Sequence, residues 1–243
     1  MIKNAIVLAA GYATRLNMNI SKPLIEVGGK PIISYLLKKL ENNGITNICV
    51  VTNNRYFLDY QNILSSRVRL INDGTNSNEE RLGALRDLAL ALKLIYSGKL
   101  EDTLVLLGDN LFEDDLSDFF KKYNSREPKK SLIGVYDLND IHLAKNYGII
   151  EIDENERIKS FKEKPEKPKT TLVSTGIYAF PSKILQLLDF YLSDKKNPFE
   201  GPGNFISWLI EKGYDLYAYK LRGKWWDIGT IESLEDAKKN FNG

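Results

Sequence analysis

Two groups of residues in this sequence have types and spacings that could do chemistry. The first is Gly11, Arg15 and Lys22, which follow the apolar run Ala5-Ile6-Val7-Leu8-Ala9-Ala10. Such a run reads as a buried strand of a parallel sheet. Its break at a glycine exposes consecutive backbone N–H groups at the carboxyl edge of the sheet, where they form an anion-binding nest and where α/β proteins bind ligands. Arg15 offers a rigid fork of donors and Lys22 a mobile charge, so nest and cations together suggest a polyphosphate. An ordinary strand and glycine turn with a solvated Arg and Lys fits the same spacing. The second group is Asp109 and Asp227. Asp109 follows the apolar run Thr103–Leu107, and a hard cation such as Mg²⁺ takes one or two carboxylates plus phosphate oxygens. A turn aspartate capping the next segment is the other reading. Asp227 is wedged between Trp226 and Ile228, where a carboxylate needs a cation or donors, or serves as a local N-cap.

The remaining composition narrows the chemistry. The chain has 243 residues, 43% hydrophobic and 27% charged, with a net charge of +2, as expected for a globular protein with no reason to bind nucleic acid or an anionic membrane. The single cysteine, Cys49, lies in the run Ile48-Cys49-Val50-Val51 and reads as a buried, inert thiol. The single histidine, His142, lies in a polar stretch and reads as a surface residue. Carboxylates, Lys, Arg and a metal are left to do the work. The N-terminus shows no signal-peptide pattern and no window reaches the length of a membrane span, so a cytoplasmic location is expected.

These groups need elements to position them. Apolar spacing from Pro31 to Asn42 predicts an amphipathic helix with Pro31 in its first turn, and Ile48 to Thr52 a second buried strand, giving strand–helix–strand and a parallel pair. A helix over residues 55–65 and a strand from Val68 to Ile71 follow. The polar loop Asn72 to Asn78 leads into Glu79-Glu80-Arg81-Leu82-Gly83-Ala84-Leu85, which opens a helix running to about Ile95, with Ser77 or Asn78 as N-cap. Asp114, Asp115 and Asp118 read as a solvated helix face. A strand from Leu132 to Tyr136 precedes a β-hairpin of Tyr147 to Asp153 with Ile158 to Pro165. Glu163 to Lys169 is charged and Pro-rich, in composition a surface loop. Leu172 to Phe180 is a strand whose central Gly176 suggests close approach of backbone to a ligand. Helices over residues 183–193 and from Phe205 to Glu211, a strand from Tyr214 to Leu221, and a last helix opened by Thr230 complete the chain.

The string Leu8-Ala9-Ala10-Gly11-Tyr12-Ala13-Thr14-Arg15-Leu16, with Ser21-Lys22-Pro23-Leu24 and Val27-Gly28-Gly29-Lys30-Pro31-Ile32, resembles the signature of the sugar-1-phosphate nucleotidyltransferases. That family usually has glycine where Ala13 stands. Leu106-Leu107-Gly108-Asp109-Asn110-Leu111 and Trp225-Trp226-Asp227-Ile228-Gly229 resemble its two metal motifs, and Tyr147-Gly148 with Glu163-Lys164-Pro165 its acceptor-sugar site. The motifs run in family order from Leu8 to Leu234, and five separated matches are far more specific than one. The usual glycine-led pattern before Gly83-Ala84-Leu85 is replaced by Glu80-Arg81-Leu82, which leaves the base preference open.

The resemblance implies a single doubly wound, mostly parallel α/β sheet, Rossmann-like and GT-A-like, with the hairpin region inserted for the acceptor. The chain then reads as one domain, with roughly the first 130 residues forming the nucleotide half and the rest the acceptor half plus the second metal motif. No linker, repeat, appended acyltransferase or β-helix domain is expected. The resemblance places Leu8, Ala10, Gly11, Arg15, Lys22, Asn78 and Gly83 on the nucleotide, and Gly148, Glu163, Lys164 and Thr175 on the acceptor. It gives Mg²⁺ to Asp109 and Asp227, and catalysis to Arg15, Lys22 and Asp109. The implied reaction joins an NTP and a sugar 1-phosphate to give an NDP-sugar and pyrophosphate, glucose 1-phosphate with dTTP or UTP being the expected pair. Family members commonly self-associate, which leaves a homo-oligomer open. The alternatives are a CTP-dependent enzyme acting on phosphocholine or another phosphomonoester, a non-catalytic nucleotide-binding subunit, and a GT-A-type glycosyltransferase. For phosphocholine, Tyr147, Trp225 and Trp226 would supply an aromatic pocket. The glycosyltransferase would need an Asp-x-Asp motif where Gly108-Asp109-Asn110 stands.

Overall fold

The computed structural model of the chain describes residues 2–16, 18–96 and 98–242, the side chain of Arg15 excepted. In chain order the strands are β1 (Asn4–Leu8), β2 (Glu26–Val27), β3 (Lys30–Pro31), β4 (Asn47–Thr52), β5 (Val68–Asn72), β6 (Thr103–Leu107), β7 (Asn110–Phe112), β8 (Ser131–Asp137), β9 (Gly148–Ile152), β10 (Ile158–Glu163), β11 (Leu172–Phe180), β12 (Leu216–Lys220) and β13 (Trp225–Asp227). The helices are α1 (Ile32–Asn42), α2 (Phe57–Ile63), α3 (Ala84–Ile95), α4 (Ser117–Ser125), α5 (Ile141–Ala144), α6 (Ser182–Leu185), α7 (Leu187–Ser193), α8 (Pro202–Glu211) and α9 (Ile231–Asn240).

Every residue of β1 is buried, because it pairs in parallel with β4 on one side and β6 on the other. Its alternate side chains feed two separate cores, as period-two geometry requires. Ala5 and Val7 join Leu36, Tyr60 and Phe119 from α1, α2 and α4 on one face. Ile6 and Leu8 join Leu88, Phe205 and Leu209 from α3 and α8 on the other. Helices on both faces of a largely parallel sheet make the doubly wound α/β fold that the sequence implied. Among the described residues nine strands form this sheet, in the order β10-β9-β11-β6-β1-β4-β5, with β8 attached to β11 and β12 to β8.

β11 runs antiparallel to its neighbours and creates the opening in which ligand can sit. Its second half, Ile177 to Phe180, pairs with β6, whereas Val173 in its first half pairs with β9. The register shifts between Ser174 and Tyr178, where Gly176 adopts φ +74. A Cβ there would stand 2.9 Å from the Leu107 Cβ, so glycine is needed for the strand to change partners at this point.

Local predictions differ from the structure in instructive ways. α3 begins at Ala84 rather than near Glu79, and neither Ser77 nor Asn78 caps it. Gly83, at φ +86, is the N-cap, and the first helical N–H groups donate to the carbonyls of Glu200 and Phe199. Pro31 precedes α1 in an extended conformation instead of entering it. The helix expected over residues 183–193 divides at Gln186 into α6 and α7. α8 starts one turn early because Pro202 suits its first turn.

β1 and β6 end level, Leu8 opposite Leu107, and Gly108 N then donates to Leu8 O at 2.9 Å. A Cβ on residue 108 would lie 2.9 Å from Pro23 Cγ and 3.1 Å from Leu8 O. Overpacking of this kind costs about 1–3 kcal/mol, so Gly108→Ala should lower the urea midpoint by a corresponding amount. An unchanged midpoint would show that the two strand ends separate without cost.

Candidate functional site

After β1 the chain keeps one more sheet-like hydrogen bond, Ala9 N to Val51 O at 2.8 Å, and then turns. The turn is held from within by Asn53, which has no exposed surface. Its Nδ2 donates to Ala10 O at 3.0 Å and its Oδ1 accepts from Tyr56 N at 3.1 Å. The Tyr12 and Thr75 hydroxyls share a hydrogen bond of 2.8 Å on the other side. Ala13 sits at φ +51. Glycine adopts that backbone without strain, which is the physical reason for glycine in the pattern that this loop resembles. Leu8, Ala10 and Gly11 line a cleft of about 440 Å³. The Arg15 backbone lies in the turn Thr14–Leu16, and the role expected of its side chain lies outside the described residues.

The centre of the cleft is an ion pair. Lys22 Nζ lies 2.9 Å from Asp109 Oδ2, both side chains being mostly buried. Asn110 braces the carboxylate, its Nδ2 donating to Asp109 Oδ1 at 3.2 Å while its Oδ1 accepts from Trp225 Nε1 at 2.8 Å. β7 and β13 form a small antiparallel ribbon that sets Asp227 opposite Asn110, and Ile228 N donates to Asp109 O at 3.0 Å. Alternation along β13 resolves the odd placement of Asp227. Trp226 and Ile228 enter a third small core with Leu234 and Phe241, while Trp225 and Asp227 face the cleft. α9 fixes that orientation: Trp226 Nε1 donates to Asp236 Oδ2 at 2.6 Å, and Thr230 and Ser233 form a reciprocal cap at its start. Asp114 is not part of a solvated helix face as expected. Its carboxylate accepts from the backbone N–H groups of Arg222 and Gly223, and Glu113 accepts from Lys224 N, so the two hold the approach to β13. Asp115 likewise precedes α4, its Oδ1 accepting from Ser117 N at 2.8 Å.

Asp109 and Asp227 thus bring two hard oxygen donors to one edge. Among the described residues no cluster of three or more His, Cys, Asp or Glu side chains is placed to hold a metal. A magnesium ion, which keeps several waters and takes phosphate oxygens, fits such a two-carboxylate set.

One end of the cleft is closed by Asn78, Gly83, Ala84 and Asp87. A Cβ on Gly83 would lie 2.7 Å from the Phe199 ring, and the Arg86 guanidinium stacks 3.5 Å from that ring centre. Arg81 links Asn78 Oδ1 at 3.0 Å to Glu200 Oε2 at 2.9 Å. Asp87 is 5% exposed. Burial first, and the neighbouring Asp73 carboxylate second, push its carboxyl up to about 8. Asp73 is raised mainly by burial, and its Oδ1 accepts from both the N–H and the hydroxyl of Thr75. The pair therefore keeps one proton at neutral pH, on the Asp87 side.

The other end is built on the hairpin. β9 and β10 pair Gly148 with Glu163, and Lys164 N donates to Tyr147 O at 3.0 Å. The Phe161 ring tip is held between two glycines: a Cβ would lie 2.4 Å from it at Gly148 and 2.3 Å at Gly203. Glu163 Oε2 faces the same two backbones, at 3.1 and 3.0 Å from those positions. Lys164 Nζ lies 3.6 Å from Glu163 Oε1. Tyr147 and Trp225, with ring centres 5.4 Å apart, wall this end. The structure does not bring the Thr175 side chain here. It is fully buried, its Oγ1 directed at Gly134 of β8, because alternation on β11 gives the cleft Ser174 and Gly176 instead. His142 is exposed and away from the cleft, and burial pushes the Cys49 thiol up to about 12, so neither takes part.

A sequence model of the nucleotidyl transferase family matches residues 4–242. The chain belongs to the nucleotidyl transferase family. It is 34% identical over 261 residues to a glucose-1-phosphate adenylyltransferase of Clostridium novyi (strain NT), covering 98% of this chain and 66% of the relative, so it spans just under two thirds of that protein's length. Among solved structures it superposes with a TM-score of 0.82 and 25% identity on a Bacillus anthracis protein, in complex with sucrose, assigned as a glucose-1-phosphate thymidylyltransferase. That match covers 99% of this chain and 96% of the other. A UDP-glucose pyrophosphorylase of Acinetobacter baumannii gives a TM-score of 0.75 at 25% identity, covering 98% and 92%.

In this member of the nucleotidyl transferase family, then, ten of the residues singled out from sequence line one cleft: Leu8, Ala10, Gly11, Lys22, Asn78, Gly83, Asp109, Gly148, Glu163 and Lys164, with Asp227 as an eleventh. Sequence reasoning missed Asn53, Asp73 and Asp87. A pair of polar residues, Thr52-Asn53, at the end of the apolar run Ile48–Val51 was the available signal for Asn53. Asp87 gave none, since one Asp in the polar-looking Arg86-Asp87 pair resembles a solvated helix turn.

The Asp87 shift fixes a sign for pH dependence. In the unfolded chain Asp87 loses its proton near its ordinary value of 3.8, and in the folded chain only near 8. Between those values the folded state holds the extra proton, so stability falls as pH rises, by up to about 1.4 kcal/mol per pH unit. Asp87→Asn removes that contribution. Urea unfolding at about pH 5 and about pH 8 should show a shallower decline in the variant than in the wild type, and equal declines would mean that Asp87 is ionised in the folded protein.

Proposed function

We propose that this protein transfers a nucleotidyl group from an NTP to a sugar 1-phosphate, giving an NDP-sugar and pyrophosphate, with magnesium as cofactor. The observation that carries this reading is the Lys22–Asp109 ion pair beside Asp227, set between a backbone turn at one end of the cleft and the Glu163–Lys164 pair at the other. We read both halves as one domain, because β11 pairs with β6 of the nucleotide half as well as with β8 and β9.

The backbone after Gly11, with Lys22 and Arg15, would hold the triphosphate, and Lys164 the phosphate of the acceptor. Glu163, reaching the space left by Gly148 and Gly203, would accept from sugar hydroxyls. A phosphate oxygen of the acceptor attacks the α-phosphorus, the new P–O bond forms as the bond to the bridging oxygen breaks, and pyrophosphate departs with that electron pair. The attacking oxygen is already anionic at neutral pH, so no general base is required. That suits a cleft without a histidine. Asp109 and Asp227 would hold magnesium, which supplies charge neutralisation at the α-phosphate. The residues contribute positioning and charge complementarity. As Lys22 neutralises Asp109 in the resting cleft, it would turn to the phosphates once the carboxylate engages magnesium.

A second reading has its own support. Tyr147 and Trp225 beside Glu163 form the aromatic and anionic wall that a quaternary ammonium group requires, which keeps phosphocholine with CTP as an alternative acceptor pair. Trp226 does not contribute, since it packs on Phe241.

Pyrophosphate release should be measured with magnesium over ATP, GTP, CTP, UTP and dTTP against glucose 1-phosphate, other sugar 1-phosphates and phosphocholine. Activity in a sugar column is expected, and activity confined to CTP with phosphocholine would move the acceptor. Asp109→Asn should lower turnover by about 10²-fold or more while leaving the thermal midpoint near that of the wild type. Near-normal turnover in that variant would remove Asp109 from the mechanism.

A further inference from the structure

The closed end of the cleft holds a carboxyl group that phosphate binding, metal binding and acceptor binding leave unused. Asp87 is 95% buried by its 5% exposure, yet it lines the cleft beside Ala10, Gly83 and Ala84, small residues that leave a flat slot. Asp73 Oδ2 and Asp87 Oδ1 are buried with no other donor in reach, and the two side chains hydrogen-bond to each other. Asp73 Oδ1 is already occupied by the two donors of Thr75. The shared proton is thereby fixed between the inner oxygens. With Oδ1 buried, Oδ2 is the oxygen through which Asp87 can meet the cleft that it lines, as an acceptor.

We propose that Asp87 selects the nucleobase, its outer oxygen accepting a hydrogen bond from an exocyclic amino group, so that the site takes an adenine, cytosine or guanine nucleotide in preference to uracil or thymine. An amino group satisfies the buried oxygen. A keto oxygen placed there would leave two acceptors opposed in a dry slot, which is costly. An acceptor aimed at the N3–H of uracil or thymine lies near both flanking keto oxygens, and that secondary repulsion weakens the contact relative to one with an exocyclic amino group. This inference rests on the reading of the cleft as a nucleotide site and adds the chemical class of base.

The test is calorimetric binding of ATP, CTP, GTP, UTP and dTTP to the full chain with magnesium, for the wild type, Asp87→Asn and Asp87→Leu. In the wild type at least one amino-bearing nucleotide should bind about tenfold or more tightly than both UTP and dTTP. Asn keeps the arrangement, its NH₂ donating to Asp73 and its carbonyl facing outward, so it should preserve the ranking. Leu should compress it. Tightest binding of UTP or dTTP by the wild type, or an Asn variant that reverses the ranking, would overturn the assignment, as would an unchanged ranking in a folded Leu variant. In each of those cases nucleotides still bind and the proposed function stands. No binding of any of the five would overturn both.

Discussion

A single hydrogen bond, from Gly108 N–H to the Leu8 carbonyl, keeps two strand ends together at the moment when each chain segment leaves the sheet. Everything in the cleft depends on it. One segment continues into the turn at Gly11, the other into Asp109, and Pro23 packs into the space where a side chain at residue 108 would stand. That packing delivers Lys22 to Asp109. The parallel register of β1 against β6 therefore decides the distance between a cation and a carboxylate that are 87 residues apart in the chain.

The cleft manages its charges internally. Lys22 faces Asp109, Arg81 faces Glu200, Lys164 faces Glu163, and the Asp73–Asp87 pair keeps a proton instead of a second negative charge. The exposed pairs, Arg81–Glu200 and Lys164–Glu163, contribute little to stability, so their value lies in arrangement. Each of these three cations rests against a nearby anion, which keeps the site from becoming a strongly positive trap. Residues 199–203, a loop that runs into the first turn of α8, join the two ends. Phe199 and Glu200 are tied to α3 through backbone hydrogen bonds and the Arg86 stack, while Gly203 lies against the Phe161 ring.

Much of the sheet was legible in the sequence because buried parallel strands have to be apolar on both faces. β6 and β11 begin and end where their apolar runs do, and β1 stops where its glycine turn approaches. That Asp109 and Asp227 stand out was legible for the opposite reason, as carboxylates stranded beside apolar residues, and both line the cleft. What could not be read was anything set by a distant backbone. α3 starts at Ala84 because carbonyls of residues 199 and 200 receive its first N–H groups, and no local pattern encodes a cap that lies more than a hundred residues away. Thr175 was misplaced for a related cause: strand alternation is readable, but which face meets the cleft was decided by the shift in register at Gly176. Asp87 was invisible because its partner, Asp73, belongs to a different element.

The ring of Phe161, held between the bare Cα atoms of Gly148 and Gly203, carries a consequence for how this protein can change over generations. Three positions far apart in sequence share one volume. A methyl at either glycine is admissible only when residue 161 shrinks, and a smaller residue 161 leaves a void until one of the glycines grows. Neither first step is neutral, so drift at these positions should proceed by paired substitutions. The hairpin end of the cleft is then expected to diversify in jumps, while the single-residue changes that accumulate elsewhere on the surface pass without effect on it.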